Sequence, residues 1–304
     1  MPKAYVFTRY GGPEAEALVD VDRPSPGPGQ VLVAVRAAGL NPVDRKQRTG
    51  YRRPGESGER DFPACFGNEV SGVVEEIGEG VEGFAVGDAV FGRPVVGGYS
   101  EYTLLPVDLI AQRPDAPSFT DGAPLPVPAV TAYDGIRRLD LPVGATLLVT
   151  GAGGAVGVAA VQIARALGLR VVGLAGEAKK DFVASLGAVH VASGPGWTGR
   201  VPGAVDGVFD LVGGDVLEEA ARLLTDRTRI VTAGAPPEAV EKLGGARVAR
   251  VRTSQRLAAA ADLVVRGDLD PQVTQTFPLE RAGEAPPAVE EGHARGKIVI
   301  EVAK

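Results

Sequence analysis

Gly151-Ala152-Gly153-Gly154-Ala155-Val156-Gly157 is the stretch that decides how the middle of this chain folds. It follows residues 145–150, an apolar run rich in branched side chains, and precedes residues 158–167, where apolar residues recur at helical spacing. Glycines between a strand and a helix allow a tight turn, a close approach of backbone N–H groups to phosphate and close packing of the helix on the sheet. The pattern predicts a dinucleotide-binding turn. Because its spacing is Gly-x-x-Gly-x-x-Gly, a glycine-rich turn of a generic α/β protein is the alternative.

The segments before and after this turn differ in their residue patterns. Downstream, strand-like runs (170–174, 190–192, 207–212 and 229–233) alternate with helix-like runs (177–186 and 216–224), which predicts a doubly wound parallel sheet. Up to about residue 107, short β-type runs separated by glycine and proline predict an antiparallel, partly barrel-like domain. Residues 254–265 look helical, and residues 297–302 form one more β-type run. We expect a first domain over residues 1–122, a dinucleotide-binding domain over 123–258 and a return to the first domain over 259–304.

Composition limits the class of protein. The chain has 304 residues, of which 44% are hydrophobic, which is ample for a core. No apolar run approaches the roughly 20 residues of a membrane-spanning helix, and the first ten residues lack the apolar block of a signal peptide. The net charge is −6, with no basic helix or basic-aromatic patch for nucleic acid. We therefore expect a cytoplasmic protein with neither a membrane nor a nucleic-acid partner.

Cysteine and histidine are too scarce for several kinds of chemistry. Cys65 is the sole cysteine, and His190 and His293 are the two histidines, so a disulfide and a zinc site of several thiolates are excluded. No tyrosine is followed four residues later by lysine, and no Gly-x-Ser-x-Gly nucleophile turn occurs. We expect structural roles for the three residues. Hydride transfer, in which a bound cofactor carries the chemistry, remains as the predicted reaction type.

The end of the second strand bears on which dinucleotide is bound. NAD enzymes have an acidic residue there, about 20 residues past the glycines, that binds the ribose 2′-hydroxyl. Here the strand ends Gly173-Leu174-Ala175-Gly176, and Lys179 and Lys180 follow, which favours the 2′-phosphate of NADP. Glu177 is close enough to replace the missing acid, so NAD remains open. In a third interpretation all three side chains are merely solvated.

Strings along nearly the whole chain resemble the medium-chain dehydrogenase/reductase superfamily, in its zinc-free quinone oxidoreductase branch. They include Gly39-Leu40-Asn41-Pro42-Val43-Asp44, residues 67–74, 86–90, 97–102 and 130–133, the glycine turn, residues 209–214 and residues 296–299. The resemblance implies a GroES-like β domain plus a Rossmann domain, with NADPH between them, and a homodimer. Asn68 stands where zinc-dependent members have a histidine, which agrees with the absence of zinc expected from the cysteine count.

The resemblance also implies the positions of the cofactor-binding residues. Asn41 and Thr131 are expected near the nicotinamide amide or the phosphates, Gly234 beside the nicotinamide, and Lys297 at the far wall. The pyrophosphate is expected on the glycine turn, with Gly154, Ala155 and Val156 in contact through their backbone and Gly151 and Gly157 shaping the turn. Lys180 falls where the branch often has a lysine for the 2′-phosphate. Two of these residues have plainer interpretations, Asn41 as a turn residue and Thr131 as a helix cap.

Without zinc to polarise a carbonyl group, the hydride acceptor must itself be electrophilic. Quinones and α,β-unsaturated carbonyl compounds meet this condition, so we expect NADPH-dependent reduction of such a compound. No residue identifies itself as the proton donor, and Lys46 and Tyr51 are weak candidates. One alternative is an NADP(H)-binding redox sensor or scaffold without turnover, and another is enoyl reduction in a biosynthetic pathway.

Overall fold

The computed structural model describes residues 1–52, 60–115, 117–285 and 294–302. The strands are β1 (Lys3–Phe7), β2 (Glu16–Asp20), β3 (Gln30–Gly39), β4 (Ala64–Cys65), β5 (Val70–Ile77), β6 (Ala89–Gly92), β7 (Tyr102–Pro106), β8 (Ile110–Gln112), β9 (Thr146–Thr150), β10 (Arg170–Ala175), β11 (Val189–Ala192), β12 (Gly207–Asp210), β13 (Ile230–Thr232), β14 (Ala246–Arg247), β15 (Val273–Pro278) and β16 (Lys297–Glu301). The α-helices are α1 (Pro42–Arg48), α2 (Phe119–Gly122), α3 (Val130–Leu139), α4 (Ala155–Ala166), α5 (Lys180–Ser185), α6 (Gly214–Ala221), α7 (Pro237–Glu241) and α8 (Ser254–Val265). No helix in these ranges is both long and apolar enough to span a membrane.

The chain divides into two compact units. The β-rich unit comprises Met1–Val127, Arg252–Val265 and Val273–Lys304, and the parallel-sheet unit comprises Pro128–Val251 and Arg266–Gln272. The expected boundaries were near residues 122 and 258, whereas the chain passes between the units at 127/128, 251/252, 265/266 and 272/273. Helix α8 belongs to the β-rich unit because it packs on β8, and its first residue, Ser254, donates a hydrogen bond to the Val107 carbonyl (2.8 Å).

The parallel-sheet unit is built on six parallel strands in the order β11-β10-β9-β12-β13-β14. This is the strand order of a doubly wound dinucleotide-binding sheet, which confirms the predicted fold class for this region. Every residue of the central strand β9 is buried, as expected for a parallel strand covered on both faces. Its carboxyl end leads directly into the glycine turn.

The β-rich unit contains two sheets. Three strands form the order β2-β1-β4, and seven belong to a larger sheet with the path β15-β16-β3-β5-β6-β8 and β7 paired with β3. The last strand, β16, pairs antiparallel with β3, so the end of the chain lies beside a strand formed near its start. Branched and aromatic side chains of these strands form the core of the unit. The pairing of β16 with β3 brings Lys297 next to Leu40 and Asn41.

Candidate functional site

The glycine turn lies at the carboxyl end of β9. Gly151 has φ +67°, a left-handed conformation that favours glycine. A Cβ on Gly157 would collide with the Gly151 carbonyl oxygen and lie 2.7 Å from the Cα of Ala152, so helix α4 passes too close to the turn for any side chain there. These two glycines are explained by the folding of the turn itself.

Gly154 differs from both. It has φ −94° and ψ 170°, which any residue adopts, and it precedes α4 as its N-cap. A Cβ built on it would meet a single neighbour, the Gly151 oxygen, at an ordinary 3.6 Å. Neither conformation nor packing within the described chain explains a glycine there. Backbone N–H groups at the positive end of α4, including those of Ala155 and Val156, are thus approachable, and this cradle fits a dinucleotide pyrophosphate.

Two lysines follow β10, and the structure separates them. The side chain of Lys179 lies across the turn, since a Cβ on Gly153 would come within 2.6 Å of its Cδ. Lys180 begins α5 and is exposed, as is Glu177 in the preceding 3₁₀ turn. Of the three charged candidates, Lys179 is therefore the one placed against the glycine turn.

A buried carboxylate joins the ends of three parallel strands. Asp210, the last residue of β12, accepts hydrogen bonds from the Oγ1 atoms of Thr150 (2.7 Å) and Thr232 (2.6 Å), which end β9 and β13. It also accepts from the backbone of Val212 (3.2 Å to Oδ1) and Gly213 (3.1 Å to each oxygen). The three side chains are fully buried. We call this set, Thr150, Asp210 and Thr232, the strand-end clamp.

The clamp extends to the loops that follow each strand. Thr150 Oγ1 accepts from the backbone N–H of Leu211 (2.9 Å), and Thr232 Oγ1 accepts from those of Gly234 and Ala235 (3.0 Å each). A Cβ on Gly234 would lie 2.5 Å from the Val212 nitrogen, so this glycine is required by the close approach of two loops. Sequence reasoning singled out Gly234 but not the clamp. The signal that could have revealed the clamp is a polar residue at the end of each of three otherwise apolar strands.

Thr131 lies in the first turn of α3 and is almost completely buried. Its Oγ1 accepts a hydrogen bond from Arg250 Nε (3.1 Å), and Asp134 one turn later accepts from the Val251 backbone (2.8 Å). The helix begins at Val130 with Ala129 as its N-cap, so the interpretation of Thr131 as a helix cap is wrong. The hydroxyl instead connects α3 to Arg250, near the end of the first segment of the parallel-sheet unit.

The β-rich unit holds a second polar cluster, around Lys297. The Lys297 ammonium is 1% exposed and donates to the Leu40 carbonyl (2.6 Å), Asn41 Oδ1 (3.0 Å) and Glu69 Oε1 (2.6 Å). A lysine ammonium has three N–H donors, so all three are engaged within the protein. Glu69 is completely buried and also accepts from the Asn41 amide (2.9 Å) and the Val127 backbone (2.8 Å). We call Asn41, Asp44, Glu69 and Lys297 the lysine cluster.

Asp44 is the second buried acid of this cluster. Asn41 precedes α1 as its N-cap, and its backbone N–H donates to Asp44 Oδ2 (2.8 Å), while the Asn68 amide donates to Oδ1. Burial raises the pKa of Asp44 to about 6, against the lowering effects of the Asn41 N–H and the Lys297 charge. Burial also raises the pKa of Tyr99 well above its usual value, and Tyr99 donates to the same carboxylate (3.4 Å). The plain turn interpretation of Asn41 is too simple, because its side chain is part of this buried network.

The two weak proton-donor candidates lie at the surface. Lys46 is exposed on α1 and lines a cavity of about 400 Å³, which Asn41 and Asp44 also line. Tyr51 is 40% exposed, and its backbone N–H donates to the Lys46 carbonyl (2.8 Å). A second cavity, of about 530 Å³, is lined by Asn68, Val95 and Val96 among others. Both cavities belong to the β-rich unit.

Neither Cys65 nor His190 is a member of the strand-end clamp or of the lysine cluster. The Cys65 thiol lies against the carbonyls of Phe66 (3.4 Å) and Tyr99 (3.5 Å), and burial raises its pKa to about 12, so it is not a reactive thiolate at neutral pH. His190 is in β11 with its ring nitrogen 3.2 Å from the Ala175 carbonyl. His293 lies outside the described residues.

Comparisons with known proteins agree with this architecture. Residues 27–115 match the family model "Alcohol dehydrogenase GroES-like domain", and residues 181–300 match the model "Zinc-binding dehydrogenase". A quinone oxidoreductase of Sus scrofa is 32% identical over 317 residues, covering 96% of this chain and 95% of that protein. An NADPH-dependent alkenal/one oxidoreductase, chloroplastic, of Arabidopsis thaliana is 29% identical, covering 98% of this chain and 79% of that protein. The solved quinone oxidoreductase of Coxiella burnetii is 29% identical with a TM-score of 0.92, covering 99% of each chain.

A GroES-like domain combined with a Rossmann domain defines the nicotinamide-dependent oxidoreductases of the medium-chain type. The chain belongs to the medium-chain dehydrogenase/reductase superfamily, in its quinone oxidoreductase branch. The predicted family and the predicted GroES-like plus Rossmann fold are thereby confirmed.

The name of one matched model, "Zinc-binding dehydrogenase", implies a zinc ion. In the described ranges, no group of three or more histidine, cysteine, aspartate or glutamate side chains is arranged to hold a metal. Asn68 offers an amide that is already bonded to Asp44 and to Gln47 Oε1 (3.3 Å). These donors do not fit a zinc ion.

Proposed function

We propose that this chain is an NADPH-dependent, zinc-independent oxidoreductase that transfers a hydride to a quinone or an α,β-unsaturated carbonyl compound. The observation that carries the proposal is Gly154, a glycine at a helix N-terminus that neither conformation nor packing requires. A nicotinamide dinucleotide, when bound, supplies the hydride. The substrate class is supported by the names of the Sus scrofa and Arabidopsis relatives. It also agrees with chemistry that lacks a metal, because a conjugated acceptor stabilises the developing negative charge itself.

The chain's own residues bind and orient the cofactor in this proposal. The backbone of Gly154, Ala155 and Val156 binds the pyrophosphate, and Gly151 and Gly157 shape the turn that presents it. Gly234, Asn41 and Thr131 are proposed neighbours of the nicotinamide half, as the family resemblance implies. For Lys297 we propose an indirect role, since its three donors are engaged and one of them holds Asn41.

The preference for NADPH over NADH is proposed from the lysines that follow β10. The side chain of Lys179 lies across the glycine turn, which supports a role for its positive charge near the phosphates of the cofactor. Lys180, the next residue, is exposed to solvent. Replacing Lys179 by Ala is expected to weaken NADPH binding about tenfold and NADH binding much less, because only NADPH carries the 2′-phosphate. Lys180→Ala is the matched control, with an expected effect of less than about threefold. If Lys179→Ala lost affinity equally for both dinucleotides, or if the wild-type protein bound NADH more tightly, the proposed preference for NADPH would be contradicted.

Turnover separates the proposed enzyme from a sensor without activity. Purified protein is mixed with NADPH and a panel of quinones and enones, and oxidation is followed at the nicotinamide absorbance. Saturable oxidation that disappears in Gly154→Leu supports the enzyme, whereas tight NADPH binding without oxidation of any acceptor supports the sensor. In the same assay, Lys46→Met and Tyr51→Phe test the two proton-donor candidates.

The cellular location and the assembly are also proposals. We propose a cytoplasmic homodimer on the family resemblance alone. Light scattering of the purified protein tests the assembly, with twice the 31.3 kDa chain mass as the expected result.

A further inference from the structure

The strand-end clamp contains a buried carboxylate that is stabilised without a cation. Asp210 is completely buried, and within the described ranges no salt bridge reaches it. Burying a carboxylate costs free energy unless hydrogen-bond donors surround it. Two hydroxyls and two backbone N–H groups, from three different strand ends, supply those donors here. So many donors from distant parts of the chain indicate that the carboxylate holds those parts together.

The charge of Asp210 also sets the direction of every hydrogen bond in the clamp. An ionised carboxylate only accepts, so both threonine hydroxyls must donate to it. Their oxygens are then left to accept the N–H groups of Leu211, Gly234 and Ala235. A neutral amide in place of the carboxylate would turn N–H groups toward the hydroxyl and backbone donors of the clamp. The common direction of these hydrogen bonds would then be lost.

The loops that the clamp holds lie on one half of the sheet. In a doubly wound dinucleotide fold each half of the sheet receives one mononucleotide, and the residue that discriminates the adenosine ribose follows the second strand, here β10. Residues 211–213 and 234–235 follow β12 and β13, which belong to the other half. The clamp therefore acts on the end of the sheet assigned to the nicotinamide mononucleotide.

We propose that Asp210 is a positioning residue, which through Thr150 and Thr232 fixes the loops after β12 and β13 and so shapes the subsite for the nicotinamide half of the dinucleotide. This inference rests on the proposed function, because it assumes that a nicotinamide dinucleotide binds. The adenosine half, on the side of β10 and β11, depends on the clamp much less.

The test uses the full-length protein and two probes, NADPH and ADP, with affinities measured by calorimetry. Asp210→Asn is expected to weaken NADPH binding by about tenfold or more, because donors then face donors in a buried site. The affinity for ADP, which lacks the nicotinamide half, is expected to change by less than about twofold. Where turnover is measured, kcat is expected to fall as well, since the nicotinamide is no longer held in one orientation.

A second pair of variants keeps the test valid where Asp210→Asn does not fold. Thr232→Val removes one hydroxyl with little change of shape, and it is expected to weaken the binding of NADPH but not of ADP. Thr232→Ser keeps the hydroxyl, and its NADPH affinity is expected to stay close to that of the wild type. Thr146→Val, at the opposite end of β9 and outside the clamp, is the matched control. Urea denaturation of each variant shows whether it is folded.

The outcomes separate the two claims. Wild-type protein that binds neither probe contradicts the proposed function. The positioning role is overturned if the wild-type protein binds both probes and the variants bind NADPH with unchanged affinity. It is also overturned if the variants lose affinity for NADPH and ADP equally. Selective loss of NADPH, with rescue by Thr232→Ser, supports it.

Discussion

The two units each bury a carboxylate network, and they stabilise the negative charge in different ways. In the lysine cluster, Glu69 is paired with a buried cation at 2.6 Å. In the strand-end clamp, Asp210 is surrounded by hydroxyl and backbone donors instead. A carboxylate whose charge is balanced mainly by one cation depends heavily on that cation, whereas one surrounded by several dipoles loses a fraction of its stabilisation with each. The comparison predicts which single substitutions harm stability and which alter binding.

The largest effect on stability is expected when the cation of the lysine cluster is removed. Lys297→Met leaves Glu69 buried without its partner, and the free energy of unfolding is expected to fall by about 3–5 kcal/mol. Urea denaturation measures this change. The matched control is Lys3→Met, at an exposed pair with Asp20 of the same unit (3.0 Å), with an expected loss of at most about 1 kcal/mol. Similar losses at both sites would show that the cluster is not organised around Lys297.

The pH dependence of stability tests Asp44 in the same cluster. Its pKa is raised from 3.8 to about 6 by burial. Because the folded state holds the proton more tightly than the unfolded state, this stabilising contribution is complete below about pH 3.8 and is lost as the pH rises to about 6. The stability of wild type relative to Asp44→Asn is therefore expected to fall by up to about 3 kcal/mol across that range.

The groups that face Asp44 are Lys297, Glu69, Tyr99 and Cys65, and all are retained in the Asp44→Asn variant. Exposed acids also titrate in this range, and the difference between the two proteins removes their contribution. A difference that stays constant with pH would contradict the assignment of the raised pKa to Asp44.

Two glycines of the turn give the smallest pair of stability effects. Gly157→Ala places a Cβ against the Gly151 carbonyl and is expected to cost about 1–3 kcal/mol. Gly154→Ala meets only ordinary contacts at the helix N-cap, and the expected cost is below about 1 kcal/mol. Thermal unfolding of the two variants provides the comparison. Equal destabilisation would mean that Gly154 also serves the fold, and it would weaken the case that it serves a ligand.

Much of the parallel-sheet unit could be predicted from the sequence because its strands are apolar runs joined by regular helices. β9, β10, β12 and α4 lie where the pattern placed them to within a few residues. The short edge strand β14 was missed, since two residues carry no periodicity. Strand β15 was also missed, because its side chains are mostly exposed and so lack an alternating pattern.

The two polar networks were harder to foresee than the fold. Thr150 and Asp210 are 60 residues apart, and they meet because β9 and β12 are neighbours in a non-sequential strand order. Lys297 was singled out, but its contacts with Asn41 and Glu69 depend on β16 pairing with β3 across most of the chain. Gly154 could be identified from the sequence, but only the geometry distinguishes it from Gly157. Residue spacing predicts local turns, whereas these contacts depend on sheet topology.

The central claim is that a nicotinamide dinucleotide docks its pyrophosphate on the backbone of the glycine turn. The most direct measurement is a calorimetric titration of NADPH into wild-type protein and into Gly154→Leu, with the urea midpoint recorded for each. The account predicts saturable binding to the wild type and none to the variant, at nearly unchanged stability. Equal binding by a folded Gly154→Leu, or no binding by the wild type, would contradict it.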